Sequence, residues 1–154
     1  MSVTIREVAD DDVAIFYEHQ RDPEAVAMAA FPAREREAHF AHWEKIRADP
    51  ANYMRTIEAN GAVVGNVVSW QGDEGRLVGY WIGREHWGKG IATAALRAAI
   101  EEIPERPLMA YVASENAGSI RVLEKCGFVR IGEDEEGFVF GLDASAESSR
   151  RAVS

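Results

Sequence analysis

Between Asn52 and Ile103 the chain changes its hydrophobic period once, and that change limits its possible folds more than any other feature. Asn52–Glu58, Ala62–Trp70 and Arg76–Ile82 read as strands, separated by Asn60-Gly61 and Gln71–Gly75. Asn-Gly is a strong hairpin signal because both residues tolerate the positive φ of a tight turn. From Gly90 the pattern becomes helical: Ile91, Ala92, Ala95, Leu96, Ala99, Ile100 and Ile103 fall on one stripe, which Pro104 and Pro107 terminate. An antiparallel meander that runs into helix–strand–helix units requires a sheet of mixed direction.

The flanking segments complete the order. Val3–Val8 reads as a strand and Asp10–Gln20 as a helix whose leading aspartates suit its N-terminus. Pro23 and Pro32 make Arg21–Pro32 a broken segment, and a second helix covers Ala33–Ala48. Leu108–Ala113 is a short apolar strand, and Asn116–Lys125 a helix with Gly127 as a left-handed C-terminal stop. Phe128–Ile131 and Phe138–Leu142 pair across the acidic turn Glu133–Glu136. The predicted fold is α/β of the α+β type, with a mixed, mostly antiparallel sheet of about seven strands and helices on both faces. Residues 1–143 are expected to form one domain and residues 144–154 a flexible tail.

Composition removes several functional classes. A net charge of −9 opposes nonspecific nucleic-acid binding, which depends on neutralising phosphates. Apolar runs stop far short of the ~18 residues of a membrane span, and the N-terminus lacks the order of a signal peptide. The single cysteine, Cys126, rules out an internal disulfide and fits a reducing, cytoplasmic setting. His39 and His42 are spaced i,i+3 on a helix without a flanking carboxylate pattern, so no metal is expected.

The segment Gly83-Arg84-Glu85-His86-Trp87-Gly88-Lys89-Gly90-Ile91-Ala92-Thr93 links a strand to a helix through a glycine-rich turn. Such a turn aims backbone N–H groups and the helix dipole at one spot, which suits a phosphate. A P-loop reading fails because Gly90 stands where the magnesium-binding hydroxyl belongs. A dinucleotide fingerprint fails because Thr93 takes the third glycine position. A tight turn without a ligand is the plain structural alternative. The remaining pattern, [QR]-x-x-G-x-[GA], is the pyrophosphate loop of acyl-coenzyme A enzymes. It runs from Trp87 to Ala92, with Trp87 departing at the first position. Residues 75–100 also hold Arg76, Arg84, Lys89 and Arg97 against Glu85, a basic window in an acidic chain.

A second motif follows: Asn116-Ala117-Gly118-Ser119-Ile120-Arg121-Val122-Leu123-Glu124-Lys125-Cys126-Gly127-Phe128. With Tyr80-Trp81-Ile82-Gly83 and the loop, it resembles the GNAT superfamily of N-acetyltransferases, most closely the branch that includes the ribosomal-protein N-terminal acetyltransferases. The resemblance covers about residues 3–142. It implies an acetyl-coenzyme A-dependent transfer to a primary amine, either a peptide N-terminus or a small molecule, by direct attack in a ternary complex. It implies that the backbone of Trp81, Ile82 and Gly83 holds pantetheine. It likewise assigns the loop residues Trp87, Gly88, Lys89, Gly90, Ile91, Ala92 and Thr93 to pyrophosphate, and Asn116 and Ser119 to cofactor contact. Asn116 is equally suited to cap a helix. Ser119 is the candidate acid toward the leaving thiolate, because Leu123 stands where many relatives carry a tyrosine. That departure keeps a second reading open, a non-catalytic acyl-coenzyme A sensor. Glu85, His86, Tyr80, Glu18 and His19 are candidate bases, and Met28, Phe31, Phe40, Trp43 and Trp70 candidate walls of an amine pocket. The assembly expected is a monomer or a homodimer.

Overall fold

Turn chemistry and hydrophobic period together produce a seven-stranded sheet in the order β1-β2-β3-β4-β5-β7-β6. The computed structural model describes residues 2–29 and 33–143. The tail expected at 144–154 lies outside the described residues, as does Phe31. The strands are β1 (Val3–Arg6), β2 (Tyr53–Ala59), β3 (Ala62–Gln71), β4 (Arg76–Ile82), β5 (Leu108–Ala113), β6 (Val129–Glu133) and β7 (Gly137–Leu142). The helices are α1 (Asp10–Gln20), α2 (Pro23–Ala29), α3 (Arg36–Ala48), α4 (Ile91–Glu102) and α5 (Ala117–Lys125). Every neighbouring pair of strands is antiparallel except β4 and β5.

Asn60 and Gly61 adopt φ of 54° and 81°, the left-handed pair that an Asn-Gly hairpin needs. Gly127, at φ 94°, ends α5, and the N–H of Phe128 returns to the Leu123 carbonyl at 3.0 Å. This closure takes Phe128 out of the strand, so β6 begins at Val129.

The broken segment expected at Arg21–Pro32 contains a helix, α2. Pro23 occupies its first position, where a missing N–H costs nothing. The Asp22 carboxylate accepts the N–H groups of Glu24 at 2.9 Å and Ala25 at 3.2 Å and so caps it. Proline here starts a helix instead of breaking one.

Alternation along the strands divides the core in two. On one face, α4 buries Ile91, Ala95, Leu96, Ala99 and Ile100 against Ile57, Val64, Val67 and Leu108. On the other, Val13 and Phe16 of α1 meet Trp43 of α3 over Met54, Val63 and Val68. The Phe16 and Trp43 rings lie 4.9 Å apart. Trp43 is therefore core. His39 is buried beside it, with Nε2 2.9 Å from the Val13 carbonyl oxygen. No helix among the described residues is long and apolar enough to cross a membrane.

Two buried charges anchor this frame. Asp12, in the first turn of α1, accepts from Arg6 at 2.7 and 3.0 Å, from the Ala9 N–H at 2.7 Å and from the Thr56 hydroxyl at 2.7 Å. Arg76, at the start of β4, donates to the Ser69 hydroxyl at 2.9 Å and the Ala51 carbonyl at 2.8 Å, and pairs with Glu105.

Candidate active site

The parallel pairing of β4 with β5 is confined to Arg76↔Leu108 and Leu77↔Met109. Each strand stays paired on its other side along its whole length, β4 with β3 and β5 with β7. Beyond Leu77 the two strands are no longer paired, and the end of β4 borders a cleft of about 590 Å³. Tyr80, Trp81 and Ile82 form its β4 wall, α5 faces them, and Ala25 and Met28 of α2 close one side.

The glycine loop lies at one end of this cleft. A short 3₁₀ turn, Arg84–His86, leads to Trp87, whose indole N–H donates to the Ile82 carbonyl at 2.9 Å. Gly88 and Gly90 follow at φ of 74° and 79°. A Cβ at either would meet nothing within 4 Å, so backbone conformation, not crowding, selects glycine here. The same open space leaves the amides of the loop accessible.

Gly90 caps α4 without a side-chain hydrogen bond, and the first turn of α4 carries no acidic residue. The contrast with α1, which places three aspartates in its first turn, is chemical. The N–H groups of Ile91, Ala92 and Thr93 have no intrahelical acceptor and no carboxylate to answer the helix dipole. All three residues line the cleft, so their N–H groups and the helix dipole make that end of it electropositive.

Ten of the twelve expected site residues line this one cleft: Trp81, Ile82, Trp87, Gly88, Gly90, Ile91, Ala92, Thr93, Asn116 and Ser119. Gly83 and Lys89 are placed elsewhere. Gly83 gives its N–H to the Val64 carbonyl at 2.8 Å and packs on His19, which an added Cβ would meet at 2.8 Å. Lys89 is exposed between the two left-handed glycines.

The basic window proves not to be a basic patch. Arg84 is held by Glu24 at 2.9 Å and Asp22 at 3.6 Å, Arg76 is buried, and Arg97 donates to the Lys125 carbonyl at 3.0 Å. The cations on the cleft wall are instead Arg121 and Lys125 of α5. Their signal was the i,i+4 spacing that puts both on the helix face toward the cleft.

Asn116 caps α5: its Oδ1 accepts the Ser119 N–H at 3.1 Å. Asn116→Ala is expected to cost about 1 kcal/mol of stability by removing this cap. Urea unfolding measures that cost, and coenzyme A binding to the same variant reads any direct cofactor contact separately.

Across the cleft wall the Tyr80 hydroxyl donates to Ser119 Oγ at 2.8 Å, a contact between β4 and α5. Burial pushes the Tyr80 phenol up to about 12. It is protonated at neutral pH and acts as a donor, not as the base considered from sequence. Leu123, at the position where the sequence resemblance implied a tyrosine, is buried in the core.

The other candidate groups scatter. His86 lines the cleft 3.5 Å from Glu85, and Glu18 pairs with Arg21. His19 is buried, its Nδ1 has no hydrogen-bond partner, and desolvation lowers its pKa. Trp70 is exposed and lies over Gly79, and Phe40 packs against the second core cluster. Cys126 is buried, with Sγ 3.7 Å from the Thr93 carbonyl oxygen, placed as a packing group.

A mixed sheet with one splayed parallel pair, and a bare helix N-terminus at the mouth of the splay, defines the class of protein. Residues 2–129 match the family described as "Acetyltransferase (GNAT) domain", and the chain belongs to that family. It is similar to "Probable N-acetyltransferase YjcK" of Bacillus subtilis (strain 168), 37% identical over 98 residues. That match spans 58% of this chain and only 54% of the relative, about half its length. The fold resembles aminoglycoside acetyltransferase AAC(6')-Ib in complex with coenzyme A, with a TM-score of 0.80 and 22% identity over 97% of this chain and 99% of that one. It also resembles the spermidine N-acetyltransferase of Vibrio cholerae in complex with coenzyme A and spermine, with a TM-score of 0.78 and 19% identity over 94% and 96% of the two chains.

Proposed function

We propose that this chain is an acetyl-coenzyme A-dependent N-acetyltransferase that transfers the acetyl group to a primary amine by direct attack in a ternary complex. The observation that carries the reading is the convergence of the two cleft features. The free edge of β4 beyond Leu77 offers backbone groups to an extended arm, and the uncapped amides of α4 lie at the end of the same cleft. The volume of about 590 Å³ is within the usual range for a cofactor cleft.

On this reading the amides of Gly88 to Thr93 hold the pyrophosphate, with Arg121 and Lys125 adding charge from α5. The β4 backbone near Tyr80–Ile82 holds the pantetheine arm. Ser119 donates to the sulfur that leaves. Holding both reactants side by side supplies much of the acceleration, since the amine needs no activation beyond loss of its proton. Amines are the acceptors named for both structural neighbours, an aminoglycoside acetyltransferase and a spermidine N-acetyltransferase, and a peptide N-terminus offers the same nucleophile.

The second reading, an acyl-coenzyme A sensor, is supported by Leu123, an inert side chain at the position where the family resemblance leads one to expect a tyrosine. Free-thiol release from acetyl-coenzyme A separates the two. With a panel of spermidine, an aminoglycoside and a short peptide with a free N-terminus, the enzyme reading expects release that depends on at least one amine. Coenzyme A binding without release for any amine supports the sensor.

A further inference from the structure

We propose that Tyr80 is a positioning residue of the transfer reaction, acting through Ser119: its hydroxyl occupies one acceptor site on the serine oxygen and so turns the serine's own O–H toward the leaving sulfur. This rests on the acetyltransferase reading of the same cleft.

The argument begins with hydrogen-bond accounting. Each hydroxyl has a single hydrogen to donate. The Tyr80 hydrogen goes to Ser119 Oγ at 2.8 Å. The serine is thus the acceptor in this pair, and its own hydrogen remains to be given. A serine inside a helix usually gives that hydrogen to the carbonyl one turn back. Ser119 is in the first turn of α5, and its backbone N–H is already fixed by Asn116 at 3.1 Å. Backbone and side chain are therefore held from two directions, by Asn116 along the helix and by Tyr80 from the opposing strand. Both hydroxyl residues line the cleft.

Placement of the phenol is also specific. Burial keeps the Tyr80 hydroxyl protonated, so it acts as a donor throughout the neutral range. On α5 itself, the residue one turn beyond Ser119 is the buried Leu123, which has no hydroxyl. The phenol near the site comes from β4, the strand whose free edge borders the cleft.

In the reaction, the amine nitrogen forms a bond to the thioester carbonyl carbon and the C–S bond breaks. Sulfur leaves with the electron pair and is met by the Ser119 O–H. The proton lost by nitrogen passes to water, and the thiolate takes a proton from water. Tyr80 keeps its proton from start to finish. A donor aimed at developing charge and fixed beforehand is worth far more than one that must reorient.

The full chain carrying Tyr80→Phe tests this, with thiol release followed at saturating acetyl-coenzyme A and with coenzyme A binding measured by calorimetry. The expected result is a roughly tenfold fall in kcat with KM and the coenzyme A dissociation constant within about twofold of the parent. Ser119→Ala is expected to lose at least as much. The double variant is expected to be no slower than Ser119→Ala, because Tyr80 has no route to the sulfur except through the serine. Ser119→Thr, which keeps the hydroxyl, is expected to retain both activity and dependence on Tyr80.

An unchanged kcat in Tyr80→Phe, or losses that simply multiply in the double variant, overturns the proposal. So does full activity in Ser119→Ala, which needs no Tyr80 variant to fold. A parent chain that binds coenzyme A and releases no thiol with any amine overturns the functional reading, and this proposal with it. An active parent with an indifferent Tyr80→Phe overturns the positioning role alone.

Discussion

Gly90→Val is expected to weaken coenzyme A binding at least a hundredfold while leaving the fold in place. The two effects separate because of the geometry at this position. Gly90 has a φ of 79°, a region that β-branched residues avoid, so the variant carries a backbone strain of roughly 1–2 kcal/mol. Its Cβ would meet no protein atom within 4 Å, so there is no steric clash to unfold the chain. Relief of the strain instead rotates the peptide units that aim the first amides of α4 at the cleft. An anion held by several such amides loses all of them together. Calorimetry with coenzyme A reads the affinity, and thermal unfolding of the free variant reads the strain. Parent-like binding would sink the assignment of this loop to pyrophosphate.

Asp12→Ala carries the largest expected loss of stability, about 2–3 kcal/mol, or roughly 5–10 °C in Tm for a chain of this size. The Asp12 side chain is 5% exposed and satisfies Arg6, the Ala9 N–H and the Thr56 hydroxyl at once. Truncation leaves the buried Thr56 hydroxyl and the Ala9 N–H without their acceptor, whereas Arg6 keeps Glu58 at 2.8 Å. The pH dependence gives an independent reading. Burial by itself would raise the Asp12 pKa, but the Arg6, Ala9 and Thr56 hydrogen bonds outweigh it and hold the carboxyl at about 2, below its ordinary 3.8. A depressed carboxyl stabilises the fold fully above its unfolded pKa and loses that contribution as pH falls through its folded one. The window therefore runs from about pH 4 down to about pH 2 and is worth about 2 kcal/mol. Asp12→Asn, close in shape and uncharged, is expected to flatten that acid limb in urea unfolding measured from pH 5 to pH 2. Parallel acid limbs for parent and variant would show that Asp12 does not carry the dependence.

How much of this was legible in the sequence depended on whether the signal was local. Arg76–Ile82, Leu108–Ala113 and Asp10–Gln20 end where expected, because turn residues, prolines and an acidic run mark their limits. Eight of the twelve expected site residues line the cleft for the same reason: loop and helix start are contiguous in sequence, and β4 leads directly into them. What was lost needed contacts between distant residues. Pro23 looks like a breaker in sequence because its helix-starting role depends on Asp22 capping the N–H groups that follow. Arg84 reads in sequence as charge for the loop, yet its partners are Asp22, just before α2, and Glu24 in its first turn, and no window of sequence shows an ion pair across the fold. Tyr80 and Ser119 meet only because β4 and α5 form opposite walls of one cleft, so neither residue's spacing announces the pair.

The splay of β4 from β5 has a further consequence. An exposed sheet edge is ordinarily a hazard, since it offers unpaired N–H and C=O groups to any passing strand. Here such an edge is turned inward, in the middle of the sheet, where width decides what may pair with it. On the proposed reading a slender, unbranched arm bearing its own amides enters this gap, where a strand of another protein would also have to bring its side chains and flanking chain. On that reading the fold keeps a sheet's capacity for recognition by backbone alone and selects its partner by thickness before any side chain takes part.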